Sequence, residues 1–135
     1  MEQFEIGCDI QLIEEFRKPK RGFLKKIFTN SEISYCSNKS NPAIHLAARF
    51  AAKEAVMKAL FQFKEKTFYN DIEILINNKK PEIRILKPLK AKYTIKTSLS
   101  HSKDYALAFV IVQKNGMIVF VLLVYHVHYK QQVMV

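Results

Sequence analysis

Along residues 4–10, Phe-Glu-Ile-Gly-Cys-Asp-Ile, apolar and polar side chains alternate with period two. That alternation predicts a strand with Phe4, Ile6, Cys8 and Ile10 turned inward and Asp9 projecting from the other face. From Leu12 to about Phe16 the spacing becomes helical; residues 18–22 break it, and residues 23–28 make another helical turn or two. Thr29-Asn30-Ser31-Glu32 offers an N-cap for a short helix through Tyr35 and Cys36, and residues 37–40 are a polar loop.

The strongest helical signal covers residues 42–63, rich in alanine and leucine, with Asn41 and Pro42 standing as cap and first position. At about 100° per residue, Leu46, Phe50, Met57 and Leu60 gather on one side and Ala48, Ala51, Ala52, Ala55 and Ala59 on the other. A helix apolar nearly all round is packed on two faces. Its few charges, Arg49, Lys53, Glu54 and Lys58, therefore need a reason to be there.

Strand-like runs follow at residues 71–76 and 82–86, joined by a hairpin turn at 77–81. Residues 92–100 alternate again, and 105–112 form a continuous apolar run that reads as a central strand. A turn at Asn115-Gly116 precedes a further strand from Met117 to about Val127. The expected fold class is α+β, helices packed on one mainly antiparallel sheet. A single domain over residues 1–135 is expected, with 117–135 as an added C-terminal strand and tail.

Length and composition agree: 135 residues, 49% hydrophobic, are enough to bury a core without covalent staples. Cys8 and Cys36 lie apart, with no CxxC pairing and no matching histidine spacing, which argues against a zinc site or a disulfide framework. Cys8 is expected to be a small core residue. The first fifteen residues carry Glu2, Glu5, Glu14 and Glu15 and no apolar h-region, so the expectation is a cytoplasmic protein without a leader. The apolar run 117–127 is shorter than the roughly 20 residues of a membrane span. The net charge of +10 points to an anionic partner or substrate: nucleic acid, an acidic carrier protein or a polyphosphate.

Two carboxylates stand out, Asp9 on a buried strand and Glu54 in a buried helix. Together they suit one hard cation, since Mg2+ takes one or two carboxylates plus waters and substrate phosphates. The alternative from the residues alone is that Asp9 caps the following helix and Glu54 pairs with Lys58 at i+4. Arg49, Lys53 and Lys58 surround Glu54 with cations, as a pyrophosphate site demands. Lys53 falls among Leu46, Phe50 and Met57, where it either meets an anion or snorkels to water. His101 follows Ser98-Leu99-Ser100 at a strand end, where an imidazole beside two hydroxyls can donate to phosphate or act as a base. No Gly-rich phosphate loop, nucleophile elbow or HEXXH occurs.

Three blocks in order resemble holo-acyl-carrier-protein synthases: Ile6-Gly7-Cys8-Asp9-Ile10, then the run from Ala48-Arg49-Phe50-Ala51-Ala52-Lys53-Glu54 to Lys58-Ala59-Leu60, then Leu99-Ser100-His101-Ser102-Lys103-Asp104-Tyr105-Ala106. Phe28-Thr29-Asn30-Ser31-Glu32-Ile33-Ser34-Tyr35-Cys36 is similar to the family's short helix, so the likeness covers roughly residues 4 to 112. The resemblance implies the 4'-phosphopantetheinyl transferase fold, transfer of phosphopantetheine from coenzyme A to a serine of acyl carrier protein, and release of adenosine 3',5'-bisphosphate. It implies metal binding by Asp9 and Glu54, phosphate contact by Lys58, and a coenzyme A site that includes Arg49, Lys53, Ser100 and His101. Asp9, Glu54 and Lys58 would then be catalytic, with the base a metal-bound water, Asp9 or His101.

A homotrimer with active sites between subunits is implied as well, with no role for nucleic acid or membrane. This sequence departs from the family pattern at Glu14 and Glu15, where an arginine usually meets the carrier, at Phe61, where a glycine is usual, and in the tail beyond Gly116. Arg17, Lys18, Lys20 and Arg21, just after the acidic pair, are the expected docking residues for the acidic carrier. The rival reading is a non-catalytic basic module that binds nucleic acid, motivated by the +10 charge and scattered aromatics.

Overall fold

The fold is described by a computed structural model over residues 3–115. In chain order it runs β1 (Phe4–Leu12), a 3-10 turn (Ile13–Phe16), α1 (Arg21–Ile27), α2 (Asn30–Ser37), α3 (Pro42–Gln62), a second 3-10 turn (Tyr69–Asp71), β2 (Ile72–Asn77), β3 (Lys80–Ile85), β4 (Lys92–His101) and β5 (Tyr105–Asn115). The strand expected at 117–127 lies outside the described residues. No helix among the described residues is long and apolar enough to cross a membrane.

Local chemistry accounts for most boundaries. Thr29 and Glu32 form a capping box on α2: the Thr29 hydroxyl accepts from the Glu32 N–H, and the Glu32 carboxylate accepts from the Thr29 N–H at 2.8 Å. Pro42 opens α3 as predicted, but the Asn41 side chain makes no capping hydrogen bond. The β2–β3 turn is tighter than the sequence implied, two residues with positive φ, Asn78 (47°) and Lys79 (65°), which match the twist of a hairpin.

The strands form two antiparallel sheets instead of the one expected: β1-β5-β4, with β5 central as predicted, and the hairpin β2-β3. Helix α3 is the spine of both. Its alanines 51, 52, 55 and 59, with Val56 and Leu60, pack on Ala108, Val110 and Val112 of β5 and on Ile72 and Ile74 of β2. Its first half, with Leu46 and Ala47, packs instead on Ile13, Phe16, Ile27, Phe28 and Cys36. Small residues face small residues, so helix and sheet come unusually close. A Cβ built on Gly7 of β1 would lie 1.9 Å from the Ala55 carbonyl oxygen.

That contact decides which face of β1 is inside, and it reverses the prediction. Gly7, with Asp9 two residues on, faces α3, whereas Phe4, Ile6, Cys8 and Ile10 are exposed on the far side. Cys8 is therefore no core residue. Across the ladder the exposed residues pair with those of β5: Ile6 with Ile111, Cys8 with Phe109, Ile10 with Leu107 and Leu12 with Tyr105. An apolar surface results, with Ile6 and Ile10 each 56% exposed.

Gly7→Ala should push α3 off the sheet. Overpacking of this kind costs about 1–3 kcal/mol or more, which for a domain of this size lowers the thermal midpoint by roughly 5–15 °C. Thermal unfolding followed by circular dichroism checks this, and a midpoint equal to wild type would show that helix and strand separate freely.

Candidate active site

Two of the predicted site residues, Asp9 and Lys58, meet where α3 crosses β1. The Lys58 ammonium donates to Asp9 Oδ1 at 2.9 Å and to the Cys8 carbonyl at 3.0 Å, and Gln11 Nε2 donates to Asp9 Oδ2 at 2.6 Å. Lys58 thus pairs across to the strand and not with Glu54 on its own helix. Nor does Asp9 cap the 3-10 turn that follows β1. The hydrogen bond with Asp9, opposed by slight burial and reinforced by the charges of Asp9 and Glu54, holds Lys58 above its ordinary pKa, so it is cationic at neutral pH.

Glu54 is half-buried and takes a hydrogen bond on Oε1 from the Tyr69 hydroxyl. Burial first, then this bond and the charges of Glu54 and Asp9, push the Tyr69 phenol up to about 12. Tyr69 therefore stays a donor. Glu54 Oε2 accepts no hydrogen bond among the described residues. A shallow cavity of about 350 Å³ opens beside Lys58, walled by Met57, Phe61, Gln62 and Lys66. Phe61, which stands where the family has glycine, is 70% exposed on its rim.

Lys53 is elsewhere. It is fully buried, and its ammonium is spent on the Glu32 carboxylate at 2.8 Å and on the main-chain carbonyls of Tyr69 and Ile72. Glu32 in turn accepts from the Ile74 N–H at 2.8 Å. Desolvation pulls the Lys53 pKa down and the Glu32 charge and hydrogen bond push back. The contact with coenzyme A expected of Lys53 has no surface to occur on, and neither does snorkelling, because every donor points into the core. The anion it meets is an internal one, which ties α2 and β2 to α3.

Arg49 is buried too, with its guanidinium 4.3 Å over the Tyr35 ring, one donor on the His45 carbonyl at 3.3 Å, and Nε without a partner. Around His45 stand Arg49, Lys39 and His101; desolvation, then their like charges in that order, hold its imidazole below the ordinary value. Four basic side chains from the loop after α2, from α3 and from the end of β4 thus form a second group, which the sequence pattern marked only at Arg49 and His101. Ser100 alternates to the exposed face of β4, away from His101. Tyr69, Gln11, Lys39 and His45 carried no motif of their own. Of the expected docking residues, Arg17, Lys18, Lys20 and Arg21 are all exposed, with Arg17 paired to Glu14 at the surface and Lys25 and Lys26 extending the same basic patch along α1.

Residues 5–110 match the 4'-phosphopantetheinyl transferase superfamily. The chain is 46% identical over 112 residues, 79% of its length and 96% of the relative's, to a holo-[acyl-carrier-protein] synthase of Thermodesulfovibrio yellowstonii. It is 42% identical over 118 residues, 82% of its length and 99% of the relative's, to the protein of the same name from Chlamydia trachomatis. Among solved structures it resembles a holo-(acyl-carrier-protein) synthase from Bacillus anthracis in complex with CoA (3',5'-ADP), with TM-score 0.71 and 27% identity over 85% of this chain and 100% of that one.

Proposed function

The chain belongs to the 4'-phosphopantetheinyl transferase superfamily, and from that membership we propose that it is a holo-[acyl-carrier-protein] synthase. It transfers the 4'-phosphopantetheine group of coenzyme A to a serine of apo acyl carrier protein. The observation that carries the reading is the meeting of Asp9 with Lys58, one turn from Glu54, because these come from the two blocks that resemble the family.

In the transfer the serine oxygen bonds to the phosphorus that bears pantetheine. The bond from that phosphorus to the bridging pyrophosphate oxygen breaks, and adenosine 3',5'-bisphosphate leaves with the electron pair. Asp9 and Glu54 would hold Mg2+, which when bound supplies Lewis-acid withdrawal of charge from the pyrophosphate. The donor set fits: two carboxylates suffice for Mg2+ when waters and phosphates complete its shell, Glu54 Oε2 has no competing hydrogen bond among the described residues, and each Asp9 oxygen, with one bond from Lys58 or Gln11, keeps a further lone pair. Lys58 neutralises charge on the phosphoryl oxygens. Lys39 and His101, both exposed, stand with the half-buried His45 where they suit the adenosine 3'-phosphate end, and the buried Arg49 backs them from beneath. Asp9 and His101 are this chain's own candidates for the base that takes the serine proton, beside a metal-bound water; loss of a titration from the pH profile of His101→Gln assigns the role to His101, and its persistence leaves the other two.

The basic patch leading into α1, at Arg17, Lys18, Lys20 and Arg21, is the docking surface for the acidic carrier. The apolar ladder of β1 and β5 is where subunits of a homotrimer meet, since an exposed face of this kind calls for a partner. The two free thiols suit a cytoplasmic enzyme, which cell fractionation checks.

Incubation with apo carrier protein, coenzyme A and Mg2+ should add one phosphopantetheine to the carrier by intact mass; an unmodified carrier would refute the reading. Asp9→Ala and Glu54→Gln should each lower kcat by at least about a hundredfold, Lys58→Ala should lower kcat, and His101→Ala should chiefly raise the KM for coenzyme A. Charge reversal at Arg17 and Arg21 should raise the carrier KM and flatten its salt dependence; an unchanged KM moves docking off α1. Sedimentation should give three copies for the wild type and smaller species for Ile6→Asp, and a wild-type monomer removes the trimer.

A further inference from the structure

Tyr69 lies outside every sequence block that marks the family, in the one-turn 3-10 helix before β2, yet three consecutive features of α3 hold it. Its ring stacks on Phe50 with centroids 5.3 Å apart and planes 24° from parallel. Its carbonyl accepts from the Lys53 ammonium at 2.9 Å. Its hydroxyl donates to Glu54 Oε1. Phe50, Lys53 and Glu54 occupy successive positions of one helical face, at spacings of three and four, so ring, main chain and hydroxyl are fixed by the same element that carries the carboxylate.

We propose that Tyr69 is a positioning residue for the metal site: it occupies one oxygen of Glu54 and thereby leaves the other, Oε2, as a single-oxygen ligand. This rests on the reading of Asp9 and Glu54 as the magnesium site. Gln11 does for Asp9 Oδ2 what Tyr69 does for Glu54 Oε1, so each carboxylate has a neutral donor on one oxygen. Asp9 Oδ1, by contrast, takes the Lys58 ammonium, so of the two carboxylates only Glu54 keeps an oxygen without a hydrogen bond among the described residues. The buried Glu32–Lys53 pair then acts on the site at second hand, through the Tyr69 main chain. Partners that orient metal ligands are typically worth about 10–100-fold in metal affinity.

Tyr69→Phe removes the hydroxyl and keeps the stack on Phe50 and the carbonyl bond to Lys53. The probe is Mn2+ alone, with free ion counted by electron paramagnetic resonance in the absence of coenzyme A and carrier. The dissociation constant for Mn2+ should rise about tenfold in Tyr69→Phe, and the Mg2+ concentration at half-maximal transfer should rise by the same factor. A structural role alone would lower the thermal midpoint and leave Mn2+ affinity as in the wild type, and that outcome overturns the proposal. Glu54→Gln, measured alongside, separates the two claims. If it weakens Mn2+ binding while Tyr69→Phe does not, only the positioning role is wrong; if neither does, the metal site itself is misassigned.

Discussion

The close approach of α3 to β1 at Gly7 and Ala55 is the constraint on which the site depends. Alanines on the helix and small residues on β5 let the two elements meet nearly backbone to backbone. The side chains at the margin of that contact, Asp9 on the strand and Lys58 on the helix, can then touch. A helix packed at the usual distance of a leucine-lined interface would leave lysine and aspartate apart, with solvent between them. Small residues here do the work that a binding loop does in other folds: they bring charged groups from distant parts of the sequence within bonding distance.

A second constraint works from inside. Burial of an ion pair is costly unless each charge has further partners, and the Glu32–Lys53 pair has them: two main-chain carbonyls for the lysine, and the N–H groups of Thr29 and Ile74 for the glutamate. These bonds join α2, α3, the Tyr69 turn and β2. The arrangement ties the irregular segment carrying Tyr69 to the helix carrying Glu54, where apolar packing alone would leave it free to slide.

Much of this was legible in the sequence, and the limits have physical causes. The α3 segment declared itself through composition, α2 through its N-cap, and β5 through its apolar run, since each is a local property. The face of β1 was not legible, because a period of two fixes alternation but not which face is covered. The larger side chains, Phe4, Ile6 and Ile10, look like a core when the strand is read alone. Lys53 was visible as an anomaly on an apolar face, but its partner, Glu32, lies on another helix and reads as an ordinary cap. Tyr69 gave no signal at all, because its role depends on a turn fifteen residues beyond Glu54 returning to that helix. Asp9 and Glu54 were found as isolated acids, whereas their donors Gln11 and Tyr69 only acquire meaning once the fold is known.

The missing side chain at position 7 also governs how the strand is assembled. In an antiparallel ladder a slip of one residue turns every side chain to the opposite face. Slipped by one, β1 would set Ile6 or Cys8 beneath the Ala55 carbonyl and carry Asp9 out onto the apolar surface. Neither residue fits a space that excludes even a methyl group. The glycine that admits the helix thus also rejects the mispaired strand, so one position sets both the approach of α3 and the register of β1.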